Sequence, residues 1–339
     1  MTIYELAKEL NMTPSMISRA LSPNGKVRAD KRKVILEAAK KYDFIPNSFA
    51  SRLSMNSIRI GIIINSVFEV NKMKMLAGIK KAYDELKDYK IEYDFTVVDV
   101  NDDKLIDYKK IFDKYTKYDG LIISGMGHKK YKKYIEEYKK INPNIVQVQS
   151  PNEDVEGLCV SMHDEVLAAD IAADFICNCL KYNARKNVLL FTGNTDSKLH
   201  KSSQTAFEKA CLNNGLSLLG SVDMKDDEKY FEKILADVMN NHNGSIDAIY
   251  ITSGISAPLC EYLKENGIDI ILVTFDTYDV IAEYMGQGII SATIYQDVTS
   301  QMKKAFKALS LYLINGNKPD SVIYTDVQLV FKSNIHLCD

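Results

Sequence analysis

From residue 58 onward the chain repeats one pattern: a short apolar, β-branched run, a turn, then an amphipathic helix. The runs are "IRIGIII" (58–64), "FTVVDV" (95–100), "GLIISG" (120–125), "IVQVQ" (145–149), "VLLFTG" (188–193), "AIYITS" (248–253), "IILVTFD" (270–276) and "ISATIY" (290–295). Such alternation predicts parallel sheets wrapped by helices on both faces. Roughly 280 residues of it exceed one ordinary sheet, which predicts two similar α/β lobes. Ligands of open α/β sheets bind beyond the carboxyl ends of the strands. The residues just after each run are therefore candidates: Asn65, Ser66, Ser124, Thr252, Ser253, Asp276 and Gln296.

The first 57 residues are different. They carry ten Lys/Arg against five Asp/Glu, whereas the remainder carries 33 against 40, so a net charge of −2 conceals a basic head on an acidic body. "TIYELAKEL" has the Thr2–Glu5 capping-box spacing and an apolar stripe of Ile3, Leu6, Ala7 and Leu10. "TPSMISRAL" offers Thr13 as cap, Pro14 at the first helical position, and Ile17, Ala20 and Leu21 as its buried face. A third helix at about 29–42 buries Ile35, Ala38, Ala39 and Tyr42. Two helices joined by a very short connection are the helix-turn-helix arrangement. Ser15, Ser18 and Arg19 lie on the polar face of its second helix, the part that enters a major groove. Arg19 can reach guanine, and Ser18 and Thr2 suit phosphate. The alternative is a three-helix bundle whose surface is merely solvated. "PNSFASRLSMN" (46–56) then offers a helix too short to stand alone in water, with Phe49 and Leu53 as its apolar residues.

The stretch "TIYELAKELNMTPSMISRALSPNGKVRADKRKVILEAAKKYDFIPNSFASRL" resembles the DNA-binding head of the lactose-repressor (LacI) family. The likeness lies in the "ISRAL" core, the "V…R…V…AA…Y" third helix and the "PN…A…L" segment. It implies an N-terminal all-α helix-turn-helix head (1–45) with a hinge helix and linker (46–57). A two-lobed α/β periplasmic-binding-protein-like body follows, with a first lobe of 58–162 and 298–322 and a second of 163–297 and 323–339. It also implies that the hinge folds only when two copies pack in the minor groove. Leu53 is then a wedge between base pairs, Ala50 lies against the groove floor and Asn47 caps or touches backbone. Lys26 and Arg28 fall where the family touches DNA backbone. Asp276 and Gln296 match positions that hold ligand hydroxyls.

There are departures from the family. Pro14 and Ser15 stand where relatives choose bases, which shifts discrimination toward Ser15, Arg19 and groove shape. Where many relatives place an aromatic pair after the first strand, this chain has Phe68, Glu69, Asn71 and Lys72. Ser203 stands where many carry an arginine, with His200 and Lys201 nearby. The effector contacts expected are Asn65, Phe68, Glu69, Ser124, His200, Thr252, Asp276 and Gln296. A charged or unusual ligand at Glu69, Lys72 or His200 competes with a common hexose or pentose.

Other chemistries find little support. "GMG" at 125–127 meets Lys130 where a dinucleotide loop needs glycine, and "DVNDDK" lacks the glycine and final acid of a calcium loop. The six cysteines show no CxxC pair and read as reduced thiols of a cytoplasmic protein. No bilayer-length apolar stretch occurs, and no nucleophile–base or metal set marks an enzyme. The expectation is a homodimeric, ligand-responsive transcription regulator, most simply a repressor. It needs no cofactor or metal, binds palindromic double-stranded operator DNA, and senses a sugar or related metabolite between its lobes. The alternative is a solute-binding receptor without a regulatory role.

Overall fold

The computed structural model describes residues 3–21, 25–42, 44, 57–66, 68–98, 106–242 and 244–338. Residues 46–56 of the expected hinge, with Asn47, Ala50 and Leu53, lie outside the described residues, as do Thr2 and the acidic turn at 99–105.

Three short helices come first: α1 (Ile3–Glu9), α2 (Pro14–Leu21) and α3 (Ala29–Lys41). They close on Leu6, Ala7, Ile17, Ala20, Leu21, Ile35 and Phe44. Thr13 caps the start of α2, the Met16 N–H lying 3.0 Å from its carbonyl oxygen and 3.3 Å from its Oγ1. Ser15, Ser18, Arg19 and Lys26 are exposed, and Arg19 Nε lies along its own helix, donating to Ser15 O at 3.3 Å. Arg28 precedes α3 without a side-chain cap bond and pairs with Asp30 at 3.4 Å. Tyr42, expected in the core, is only half-buried, because its hydroxyl reaches out to Glu9 Oε1 at 3.0 Å.

Two six-stranded sheets follow. The first contains β1 (Ile58–Asn65), β2 (Ile91–Val98), β3 (Gly120–Ser124), β4 (Ile145–Val148), β5 (Cys159–His163) and β11 (Val322–Thr325). Its order is β11-β5-β4-β3-β1-β2 and every pairing is parallel. The second contains β6 (Asn187–Thr192), β7 (Ser217–Asp223), β8 (Ala248–Ile251), β9 (Ile271–Phe275), β10 (Ala292–Gln296) and β12 (Val327–Val330). Its order is β12-β10-β9-β8-β6-β7, parallel except where β12 runs against β10.

The period of two explains the continuous apolar runs, since both faces of each sheet are covered. In β1, Ile60, Ile62 and Ile64 pack toward Met75 and Ile79 of α4 (Glu69–Leu86) and Phe306 of α12 (Val298–Asn315). Ile63 faces the other way, toward Phe112 of α5 (Tyr108–Asp113) and Tyr138 of α6 (Lys132–Ile141). The second sheet is covered on one side by α7 (Glu165–Cys179) and α8 (Lys198–Asn213). On the other lie α9 (Glu228–Asn241), α10 (Ala257–Glu265) and α11 (Asp279–Gly286).

Four strands match none of the eight runs: β12 ("VQLV"), the C-terminal strand expected to return to the second lobe, and three others. β5 ("CVSMH") and β11 ("VIYT") are short and mixed in polarity, and β7 ("SLLGSVD") is a half-exposed edge strand. The return to the second sheet comes after Thr325 rather than at residue 323, because β11 pairs in parallel with β5, Thr325 opposite His163. The chain thus passes between the sheets three times: from β5 to α7, from β10 to α12, and from β11 to β12. Among the described residues no helix is long and apolar enough to cross a membrane.

Helices α4 and α12 approach closely at Gly78, where a Cβ would come 2.4 Å from the backbone oxygen of Thr299. A carbonyl oxygen in a packed helix cannot give way as a side chain can. Gly78→Ala should therefore destabilise the chain by about 1–3 kcal/mol, the usual range for overpacking. Urea unfolding would read this as a lower midpoint at similar slope, and an unchanged midpoint would refute the tight contact.

Candidate functional site

The order around β1 and β3, and again around β6 and β8, reverses direction, and the crevice at such a reversal is where α/β sheets hold ligands. Both crevices open onto one cavity of about 420 Å³, a size suited to a small molecule. Its lining comes from the ends of β1, β5, β8, β9 and β10, the turns after β1, β3, β4, β7, β8 and β9, and the starts of α7 and α8.

Asn65 ends β1. Its Nδ2 donates to Gly125 O at 2.8 Å and to the Tyr131 hydroxyl at 3.1 Å, while its buried Oδ1 has no protein partner. Phe68, just before α4, stacks on Tyr278 of the second lobe with ring centres 4.9 Å apart, so one aromatic pair spans the cleft. Lys74 Nζ reaches Thr277 Oγ1 at 3.4 Å beside it. On the far side Lys198 Nζ joins α8 to Asp154 of the first lobe at 2.6 Å.

Asp276 follows β9 with φ of 71°, a left-handed conformation that is strained for a residue with a Cβ. Gln296 Nε2 donates to its Oδ1 at 2.9 Å and the Tyr278 hydroxyl donates to its Oδ2 at 2.8 Å. Burial pushes the Asp276 carboxyl above its ordinary value, and the two donors and the charge of Lys74 offset this only in part. Burial beside that carboxylate likewise pushes the Tyr278 phenol upward.

The crossing from β5 to α7 supplies His163 and Glu165. Burial drives His163 from 6.5 down to about 4, against a hydrogen bond with Gln296; its Nδ1 has no protein partner. Burial drives Glu165 the other way, from 4.5 up to about 7, against Ser203 and the charge of His200. His200 Nε2 in turn lies 3.3 Å from Asp226 Oδ2. Burial pushes Asp226 up, but His200, the Asn194 N–H and Ser253 outweigh it and hold the carboxyl below its ordinary value. Gly193 leaves room for that pair, since a Cβ there would sit 2.4 Å from Asp226 Oδ1 and 2.5 Å from the His200 ring.

Of the residues expected around an effector, Asn65, Phe68, His200, Thr252, Asp276 and Gln296 line this cavity. Ser124 does not: it is turned under α4, its hydroxyl donating to Met75 Sδ at 3.3 Å. Glu69 is also outside; it points to solvent and pairs at 3.1 Å with Lys72, whose side chain is largely buried. His163, Glu165, Asp226 and Tyr278 are additional lining residues that sequence reasoning did not select. His163 ends β5, Glu165 lies two residues beyond it and Asp226 follows β7, so the signal for these three lay in two weak strands. Tyr278 lies two residues beyond the run that ends at Asp276. Among the described residues no group of three His, Cys, Asp or Glu is placed to hold a metal ion.

Residues 60–318 match the profile of the periplasmic binding protein domain. Catabolite control protein A of Priestia megaterium is 24% identical over 232 residues, 68% of this chain and 66% of that protein. The HTH-type transcriptional regulator pepR1 of Lactobacillus delbrueckii subsp. lactis is 24% identical over 221 residues, 63% and 62% of the two lengths. The matches thus span just under two thirds of these curated relatives. A glucose-galactose binding protein from Geobacillus stearothermophilus, GanP, superposes with a TM-score of 0.72 at 17% identity, over 83% of this chain and 99% of that one. At that identity the likeness is one of fold.

The opposed shifts of His163 and Glu165 have a measurable consequence. A histidine with a lowered folded pKa contributes stability above about 6.5 that is lost as pH falls toward about 4. A carboxyl with a raised folded pKa contributes stability below about 4.5 that is lost as pH rises through about 7. Between these limits the two slopes oppose each other, each amounting to roughly 3 kcal/mol at most. Relative to wild type, Glu165→Gln should gain stability as pH rises from 5 to 7.5, and His163→Gln should gain as pH falls from 6.5 to 5. Urea titrations across this window read both, and parallel pH profiles for all three proteins would count against the assigned burial.

Proposed function

The chain belongs to the periplasmic binding protein domain family, and from that premise we propose that it is a ligand-responsive, sequence-specific DNA-binding regulator. The observation that carries this is the union of two units: a basic three-helix head and a two-lobed body whose cavity is lined from both sheets. Names borne by its relatives, a catabolite control protein and an HTH-type transcriptional regulator, support the same reading.

In this reading α1 and α2 form the helix-turn-helix, capped by Thr13, and Ser15, Ser18 and Arg19 meet base edges and phosphate in the major groove. Thr2 and Lys26 touch backbone. Asn47, Ala50 and Leu53 belong to the hinge, with Leu53 as the wedge that opens the minor groove. Two copies bind a palindrome as a homodimer, since one short hinge helix is marginal alone. A sugar or related metabolite enters the cavity and makes contact with residues from Asn65, Phe68 and His200 to Thr252, Asp276 and Gln296. It acts by changing how the lobes meet across the three crossings. A coupling of about 1–3 kcal/mol would change operator affinity some 5–150-fold.

A solute receptor without a regulatory role is the second reading, favoured by the likeness of the body to a sugar-binding protein. DNA selection separates the two. Full-length protein incubated with random duplexes should enrich an inverted repeat. Arg19→Ala should then lower affinity for the selected site by about 1–3 kcal/mol and relax its sequence preference. Leu53→Gly should abolish bending of that site. Binding that weakens with salt but shows no sequence preference would instead leave the receptor reading standing.

A further inference from the structure

We infer that the cavity selects an aminated polyol, a monosaccharide-sized ligand carrying one ammonium group, and that Glu165 is the residue that receives the ammonium. The inference rests on the reading of the cleft as an effector site.

The first observation is an imbalance of charge. Among the described residues lining the cavity, Glu165, Asp226 and Asp276 are acids, Lys130 is the lysine, and none is an arginine. Asp276 has both oxygens taken, by Gln296 and Tyr278, and Asp226 is matched by His200, the Asn194 N–H and Ser253. Glu165 differs. The hydroxyl near its Oε2 is that of Ser203, at 3.3 Å, and the same hydroxyl lies closer to its own helix carbonyl, Leu199 O, at 3.1 Å. One hydroxyl hydrogen cannot serve both acceptors. The backbone donors at the start of α7 do not help either, because the Asp164 side chain takes the Val166 and Leu167 N–H groups. A buried carboxylate short of donors is destabilised by several kcal/mol unless a partner arrives.

A second, independent observation concerns the neutral groups. Asn65 Oδ1, His163 Nδ1 and Thr252 Oγ1 have no protein partner, and their residues are only 6%, 6% and 8% exposed. An amide oxygen can only accept, and an imidazole nitrogen or hydroxyl oxygen can accept as well. All three can accept, Asn65 Oδ1 can do nothing else, and the Thr252 hydroxyl alone can also donate, so a complementary ligand brings mainly donors. Hydroxyls supply one each and an ammonium supplies three with a charge, which suits the one acidic group left short. The aromatic rings of Phe68 and Phe275 in the same lining add surfaces that attract a cation. A phosphorylated sugar fits badly, since it would set more negative charge and more acceptors against the same walls.

The test is calorimetric titration of the full-length protein at neutral pH with three matched series. These are the hexosamines glucosamine, galactosamine and mannosamine, their neutral parent hexoses, and their N-acetyl derivatives, which keep the nitrogen but lose the charge. At least one hexosamine should bind about tenfold or more tighter than both counterparts, the worth of one charge-assisted hydrogen bond. Glu165→Gln, with folding checked by circular dichroism, should bring that ratio to within about threefold. A parent hexose that binds as tightly as its amine, or a preference that survives in Glu165→Gln, overturns the inference and leaves the effector-cleft reading intact. Failure of every compound in all three series to bind overturns both.

Discussion

Gln296 holds the two lobes in a single hydrogen-bonded arrangement. Its amide nitrogen donates to Asp276 at the end of β9, while its amide oxygen accepts from Gln301 of α12 at 3.2 Å. The backbone oxygen of Gln301 accepts the Ser161 hydroxyl of β5 at 2.9 Å, and Asp276 takes the hydroxyl of Tyr278, whose ring rests on Phe68. A chain of hydrogen bonds thus begins in the first lobe and passes into the second, and one aromatic stack returns it to the first. Every member is buried or nearly so, and an unmade bond in such a place is costly. The lobes cannot shift without exchanging these partners, which gives a ligand in the cavity something definite to bias.

Strain and desolvation are concentrated at the same place. Asp276 holds a left-handed backbone, and Thr293 Oγ1 donating to its carbonyl at 2.6 Å helps to fix it there. His163 and Glu165, two residues apart at one crossing, are pushed in opposite directions by burial. Neutral histidine and protonated carboxyl are the forms that dry surroundings favour. A ligand that brought donors to this crossing would shift those preferences, and the local free energy it released would be available to move the lobes.

Much of the fold could be read in the chain. The eight strong runs became strands because a sheet covered on both faces needs apolar residues at successive positions, as in β1, where Ile62 and Ile63 serve opposite cores. The strands that escaped notice, β5, β7 and β11, lie at or near sheet edges, where one face or one side is solvated and the apolar pattern thins. The cavity was legible in the same proportion. Asn65, Thr252, Asp276 and Gln296 follow strong runs and line it, whereas His163, Glu165 and Asp226 follow weak ones. Ser124 and Glu69 follow or neighbour a strong run yet face away. The rule that ligands meet strand ends says which turns approach a site, but not how each side chain in the turn is rotated.

The amino-acid sequence alone determined the alternation of strand and helix, the doubling of the α/β unit and the segregation of positive charge at the N-terminal end. These follow from local periodicity and composition, which act over a few residues. The tertiary structure alone decided which carboxylates meet donors and which do not. Asp276 and Gln296 are 20 residues apart, Phe68 and Tyr278 far more, and Glu165 is short of partners only because Ser203 is closer to Leu199. Hydrogen bonding and desolvation depend on where atoms converge in space, and no period in the chain encodes that convergence.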